Sequence, residues 1–377
     1  MPSLSELMRG TFPPREHGGV EAAELAALGL DPRAVLDVST SVNPYGPAPA
    51  VAAAARAAAL DCYPDPRAGA ARAALARACR TTAERVVLGN GATELLWTLA
   101  RLLLAPGETV LVCEPAFSEL RAAGEQLGAR VVEWRASPER GCALELPAIA
   151  ERARAERARV VSLCVPASPS GAIVPAAALA AFAAALDDTA IVLDQSFLAL
   201  SERHAELAQR LPDNVLCVRS LTKEHAIPGV RVGYLLAAPT LAARIEVARP
   251  AWTVGAAAQA AAIAASDAGD FVAASRTRLL AERVALESAL HGLGFATVPS
   301  SVPFFLVAVR DAAALRRRLL VQHRVLVRDC SSFGLPQHVR IAARGGDDAR
   351  RIVAAFAGEA AVAATACAAP GARGASA

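Results

Sequence analysis

The chain has 377 residues, 54% of them hydrophobic and 20% charged, and a formal net charge of +3. That balance excludes a disordered chain and allows one large domain, or a large domain with a smaller companion. The arginines are scattered rather than gathered in one stripe, so no nucleic-acid footprint is expected.

Eight cysteines, at positions 62, 79, 113, 142, 164, 217, 330 and 367, show neither CxxC pairing nor zinc spacing. Several lie in apolar runs such as "VSLCVP", so reduced, buried thiols and no metal site are expected. The stretch "MPSLSELMRGTFPPREHGG" lacks the apolar centre of a signal peptide. "GAIVPAAALAAFAAAL" is too short to span a bilayer and carries Pro175. The expectation is a soluble cytoplasmic protein without membrane contact.

In chain order, residues 1–45 are expected to form an arm that packs with a smaller domain further on. From about residue 70 to 240, β-rich runs ("RVVLG", "TVLVCEP", "ARVVEW", "RVVSLCVP", "TAIVLDQSF", "NVLCVRS") alternate with helical stretches rich in Ala, Leu, Arg and Glu. Continuous apolar strands between amphipathic helices predict an α/β fold, with a mostly parallel central sheet in a large domain over residues 46–255. After "AWTVGAAAQAAAIAA" the pattern stays helical to about residue 293. The shorter runs "FATV", "FFLVAV", "RVLVRDC" and "HVRIAA" then predict a small α+β domain over 256–358. The low-complexity segment 359–377 reads as a flexible tail.

In such sheets, functional residues belong at the carboxyl ends of strands. Five polar or Gly/Pro-rich clusters fall there: "GNGATE", "EPAFSE", "PASPSG", "DQSF" and "SLTK". The last carries Lys223, in a chain where arginine dominates. A surface lysine needs no special setting, whereas a lysine that condenses with an aldehyde cofactor needs an anchored phosphate beside it. Ser220 and Thr222 offer hydroxyls and Arg231 a guanidinium fork. "GNGATE" adds a strand-to-helix turn whose backbone N–H groups face an anion. Asp194 ends "AIVLD" and suits either a protonated pyridine nitrogen or an ordinary turn cap. Phe117 suits ring stacking and core packing about equally.

With these residues in view, the chain resembles the fold-type I, class I/II enzymes that use pyridoxal 5'-phosphate. Within them it is most similar to L-threonine-O-3-phosphate decarboxylases of the cobalamin pathway, and next to histidinol-phosphate aminotransferases. The resemblance runs from about residue 16 to 357. It is carried by "HGG", "LDVSTSVNPYGP", "YPDP", "GNGATE", "EPAFSE", "RSLTKEHAIPGVRVGY", "AWTV" and "VLVRDCSSFGLPQHVRIAAR". It implies that Lys223 binds the cofactor covalently and that Asp194 pairs with the ring nitrogen. Ala92, Thr93, Ser220, Thr222 and Arg231 would hold the phosphate, with Tyr63 reaching it from a second subunit of a homodimer. Phe117 and Ser168 would complete the cofactor contacts. Arg340 would bind the substrate carboxylate, Arg328 and His17 its distal phosphate, and Asn43 also falls at the substrate.

Several positions depart from the family pattern. Ser168 replaces an asparagine, and "DQSF" replaces Asp-Glu-Ala-aromatic with Gln195, Ser196 and Phe197. Glu224 and His225 replace aromatic-type residues, while Gly255 and Pro303 stand at or near two further asparagine positions. His225, two residues after the lysine, suits either a general acid/base or a histidine that lies at the surface or behind the residues touching the substrate. The resemblance implies decarboxylation of a phosphorylated amino acid such as L-threonine O-3-phosphate. The alternatives are aminotransfer of the histidinol-phosphate type, a specialised biosynthetic reaction, or a non-catalytic protein that only binds the cofactor.

Overall fold

The computed structural model describes residues 17–209 and 211–363. Its centre is a seven-stranded sheet in the order β2-β8-β7-β6-β5-β3-β4. These strands are β2 (Val86–Gly89), β3 (Thr109–Glu114), β4 (Arg130–Arg135), β5 (Val160–Cys164), β6 (Ala190–Asp194), β7 (Val215–Ser220) and β8 (Gly233–Leu236). The pairs β3–β4, β3–β5, β5–β6 and β6–β7 run parallel. Neighbouring residues along a strand enter opposite cores. Leu111, Val161, Leu193 and Cys217 pack with Phe182 on one face. Val110, Val160, Val192 and Val218 pack with Leu95 and Leu99 on the other. Burial on both faces is why these strands read as unbroken apolar runs. Each fully buried Val or Leu contributes about 1.5–3 kcal/mol.

β8 is not among the strands the sequence predicts. It runs antiparallel to both β7 and β2. Only residues 221–232 separate it from β7, and they hold the lysine loop and a single 3-10 turn, Pro228–Val230, with no crossover α-helix. A parallel return needs a crossover, usually helical, so the chain comes back antiparallel.

Two helices, Ala256–Ser266 and Gly269–Gly292, lead to the C-terminal part. There β9 (Phe304–Ala308), β11 (Arg328–Asp329) and β12 (His338–Ala342) form a three-stranded antiparallel sheet. The predicted strand "FATV" supplies only an isolated bridge, Thr297 to Val307. β1 (Leu36–Asp37) pairs in parallel with β10 (Val325–Leu326), joining the N-terminal segment to this part. The helix Ala22–Ala27 sets Leu25 against Leu320 and Leu326, and Glu24 takes two bonds from Arg316 at 2.6 and 2.7 Å.

Residues 359–363, predicted to begin a flexible tail, are helical instead. The last helix runs Gly346–Ala363, and the buried Glu359 accepts from Arg318 at 2.6 Å. The remainder of that tail, with Cys367, and the first 16 residues of the predicted arm lie outside the described residues. Among the described residues, no helix is long and apolar enough to cross a membrane.

Candidate active site

Sheet register gathers the polar clusters. Gly233 opens β8 opposite Ser220 at the end of β7 and Gly89 at the end of β2. A Cβ on Gly233 would lie 2.7 Å from the Arg219 carbonyl oxygen and 2.8 Å from the Ala92 nitrogen. Only glycine lets the helix Gly91–Leu103 start directly on this strand. Gly91 itself has φ +76, and a Cβ there would meet an Arg231 Nη2 at 2.5 Å. The guanidinium thus lies against the first helical turn, which holds Ala92 and Thr93. Ser220 and Thr222 hydrogen-bond through their hydroxyls at 2.7 Å. Backbone N–H groups at a helix start, two hydroxyls and a guanidinium make a cradle for an anion.

The lysine loop is held from outside. Asn43 donates its backbone N–H to the Lys223 carbonyl at 3.0 Å and its Nδ2 to the Glu224 carbonyl at 2.8 Å. Its Oδ1 accepts from the Tyr45 N–H at 3.0 Å. Asn43, expected at the substrate, thus also fixes the backbone of the lysine loop. Gly46 completes the fit, since a Cβ there would meet that of Ala226 at 2.6 Å.

Lys223 places its Nζ 5.8 Å from the centroid of Phe197. Burial, then the positive charges of Arg340 and Arg231, push its amine down to about 8, against the pull of Asp194 and Glu224. It is also the only lysine among the 39 basic residues of the chain, a signal open to simple counting that the motif reading passes over. Asp194 is buried at the end of β6, and burial raises its carboxyl. It accepts from the Ser196 N–H at 2.8 Å but has no ion pair among the described residues.

Arg340 is buried and donates to Ser168 Oγ at 3.0 Å and to the Ser39 carbonyl at 2.6 Å. Its Nε is buried without a partner, and burial first, then Arg328, push the guanidinium down to about 10. Ser168, expected beside the cofactor ring, is thus engaged with Arg340. Arg328 donates to Ser332 Oγ at 2.6 Å and to the His17 carbonyl at 3.2 Å. His17 Nε2 lies 3.1 Å from Glu119 Oε1, and its ring is 5.4 Å from that of Phe117. Trp97 donates Nε1 to the other Glu119 oxygen at 2.6 Å. The sequence motifs include Glu119 but give no sign that it is buried or of its partners, which come from other segments. Tyr63 stands apart from this group in the protomer, 82% exposed and 5.1 Å from the Trp252 ring.

These residues fit pyridoxal 5'-phosphate. A buried carboxylate that makes no ion pair among the described residues suits a protonated ring nitrogen, the cradle suits a phosphate, and a depressed lysine amine suits an aldehyde. Fold and site together define a cofactor-assisted enzyme acting on amines.

Residues 33–355 match the family model described as aminotransferase class I and II. The histidinol-phosphate aminotransferase of Symbiobacterium thermophilum is 35% identical over 328 residues, covering 85% of this chain and 90% of that one. Histidinol-phosphate aminotransferase 2 of Ralstonia nicotianae is 35% identical over 326 residues, covering 83% and 86%. Among solved structures, the histidinol-phosphate aminotransferase of Sinorhizobium meliloti, in complex with pyridoxal-5'-phosphate, superposes with a TM-score of 0.83 at 24% identity, covering 94% and 96%. The L-threonine-O-3-phosphate decarboxylase of Porphyromonas gingivalis has a TM-score of 0.73 at 24% identity, covering 85% and 97%. The chain belongs to the aminotransferase class I and II family, whose enzymes depend on pyridoxal 5'-phosphate.

Proposed function

We propose that this protein is an aminotransferase that exchanges the amino group of a phosphorylated amine of the histidinol-phosphate type with a keto acid. The observation that carries this reading is the pair Arg340 and Arg328, two guanidinium groups that are direct register partners on β12 and β11. An aminotransferase must seat two different anionic substrates in turn, and two fixed cations can accept either a phosphate or a pair of carboxylates. The relatives at 35% identity support the aminotransferase over the decarboxylase that the sequence resemblance ranked first.

The residues divide the work. Ser220, Thr222, Arg231 and the backbone of Ala92 and Thr93 would hold the cofactor phosphate, and Asp194 would keep the ring nitrogen protonated. Bound there, pyridoxal phosphate supplies an aldehyde for the substrate amine and a ring that takes up the electron pair left at Cα. Lys223, with its amine lowered to about 8, is able to take a proton from substrate Cα and return it. Arg340 and Arg328 orient the substrate, so the bond to be broken is chosen by where its anionic groups are held.

A homodimer is part of this proposal. Leu60, Tyr63, Val247 and Trp252 are exposed apolar side chains, and a second subunit covering them would bring Tyr63 towards the partner's cradle.

Decarboxylation remains the second reading, favoured by Phe197, which lies under Lys223 and offers no hydroxyl to the cofactor ring. The purified holoenzyme should be given L-histidinol phosphate or L-threonine O-3-phosphate, each with and without 2-oxoglutarate. Glutamate formed from histidinol phosphate, and only with the keto acid, is the expected result. Carbon dioxide released from threonine phosphate without keto acid would overturn it. A cofactor-bound protein that turns over neither substrate would also count against it.

A further inference from the structure

Beneath β7 and β8 lies a cavity of about 680 Å³ whose wall meets the cradle described above at Ser220 and is otherwise built from other residues. It opens between the end of the helix Gly69–Ala78, the turn Leu198–Leu200 and the short helix His204–Leu207. Its volume falls within the range of small-molecule sites. Much of the wall is apolar, with Leu198, Val215 and Leu236 among its residues.

The polar groups in this wall are unusual. Arg219 is buried at 8% exposure on the cavity side of β7. Its Nε donates to Gln195 Oε1 at 2.9 Å, its Nη1 lies 3.7 Å from Cys79 Sγ, and it hydrogen-bonds Tyr234. None of these partners is a carboxylate, and Arg219 has no ion pair among the described residues. Glu224, also lining the cavity, makes no ion pair or hydrogen bond with Arg219, and burial raises its carboxyl against the pull of that guanidinium. A buried guanidinium without a counter-charge is costly, and the usual remedy is a carboxylate or phosphate placed on its fork. At the cavity wall stand Arg80, which is exposed, and Arg85, which pairs with Asp213 at 2.6 Å. Positive charge at an entrance draws anions.

We propose that this cavity is a second ligand site, one that takes a small organic carboxylate with an apolar body. Its carboxylate sits on Arg219 beside the Gln195 amide, and its apolar part lies against Leu198, Val215 and Leu236. The site is distinct from the place of Arg340 and Arg328. It adjoins the first site at Ser220, and its wall residues Gln195 and Glu224 follow Asp194 and Lys223 in the chain.

Fluorine NMR on the holoenzyme with para-fluorophenylacetate tests the assignment, with para-fluorophenylacetamide as the uncharged control. A bound signal is expected that survives Arg340→Ala, is absent with the amide, and weakens by at least about tenfold in affinity with Arg219→Gln. Ala208→Trp provides an independent check, since Ala208 is an exposed wall residue whose enlargement blocks the mouth without disturbing the core. It should abolish the signal while leaving turnover unchanged. The assignment is overturned if Arg340→Ala removes all bound signal, if Ala208→Trp leaves the signal intact, or if the amide binds as well as the acid.

Discussion

Arg328 and Arg340 stand directly opposite each other across the antiparallel pair β11 and β12. Like charges in that position repel, and Arg328 is one of the groups that lower Arg340. An anionic substrate held by both would oppose that repulsion. Arg340→Gln should lower kcat/KM by about 10–100-fold, the range expected for losing a hydrogen bond to a charged group. Steady-state kinetics check this, and the loss should appear mainly in KM.

Lys223→Ala should cost at least about 10³-fold in turnover, because proton transfer alone is worth about 10²–10⁴. The variant should keep its fold, because burying the lysine already works against its charge. Circular dichroism alongside activity separates the two effects. Appreciable turnover would remove Lys223 from the reaction.

Asp194→Asn keeps the shape of the side chain but removes the negative charge. Loss of one such electrostatic stabiliser costs about 10²–10³ in kcat. Because burial outweighs the pull of Lys223 and raises the Asp194 carboxyl, the apoprotein should gain stability from the change. A lower kcat together with a higher Tm is the expected result.

Glu224 gives a pH signature. Burial raises its carboxyl from 4.5 to about 8, so the folded chain keeps a proton that the unfolded chain releases across that window. Its contribution to stability is therefore full below pH 4.5 and is lost as the pH rises through about 8. Glu224→Gln should flatten this part of the curve and be the more stable form above pH 8. Urea midpoints measured across the window decide it, and an unchanged slope would show that Glu224 ionises normally.

The proposed homodimer is checked by mixing. If Tyr63 serves the neighbouring subunit, a hybrid of Tyr63→Ala and Lys223→Ala chains contains one site with both residues intact. Refolding the two variants together should restore activity that neither shows alone. If the mixture shows no more activity than its parts, Tyr63 does not act across subunits.

Much of this was legible in the sequence because the residues concerned are local. Lys223, Ser220, Thr222 and Arg231 fall within one short segment, and Asp194 ends an apolar run that could only be a buried strand. Two-sided burial also made the parallel strands recognisable. What escaped the sequence depends on contacts between distant segments. Asn43 acts on Lys223 from a stretch that reads as a substrate motif. Gln195 and Arg219 meet only because β6 and β7 are neighbours in the sheet. β8 was hidden because "VGYLL" directly follows a loop already explained by phosphate binding, and nothing in its composition marks the direction of the chain.

A chain with a single lysine also has unusual surface chemistry. Arginine carries its positive charge nearly everywhere, and guanidinium groups are poor targets for acylation and for carbonyl compounds at neutral pH. Reagents and metabolites that modify side-chain amines therefore have one side-chain target here, the residue on which turnover is proposed to depend. Such damage or regulation would register as lost activity, with no silent side-chain amine elsewhere to absorb it.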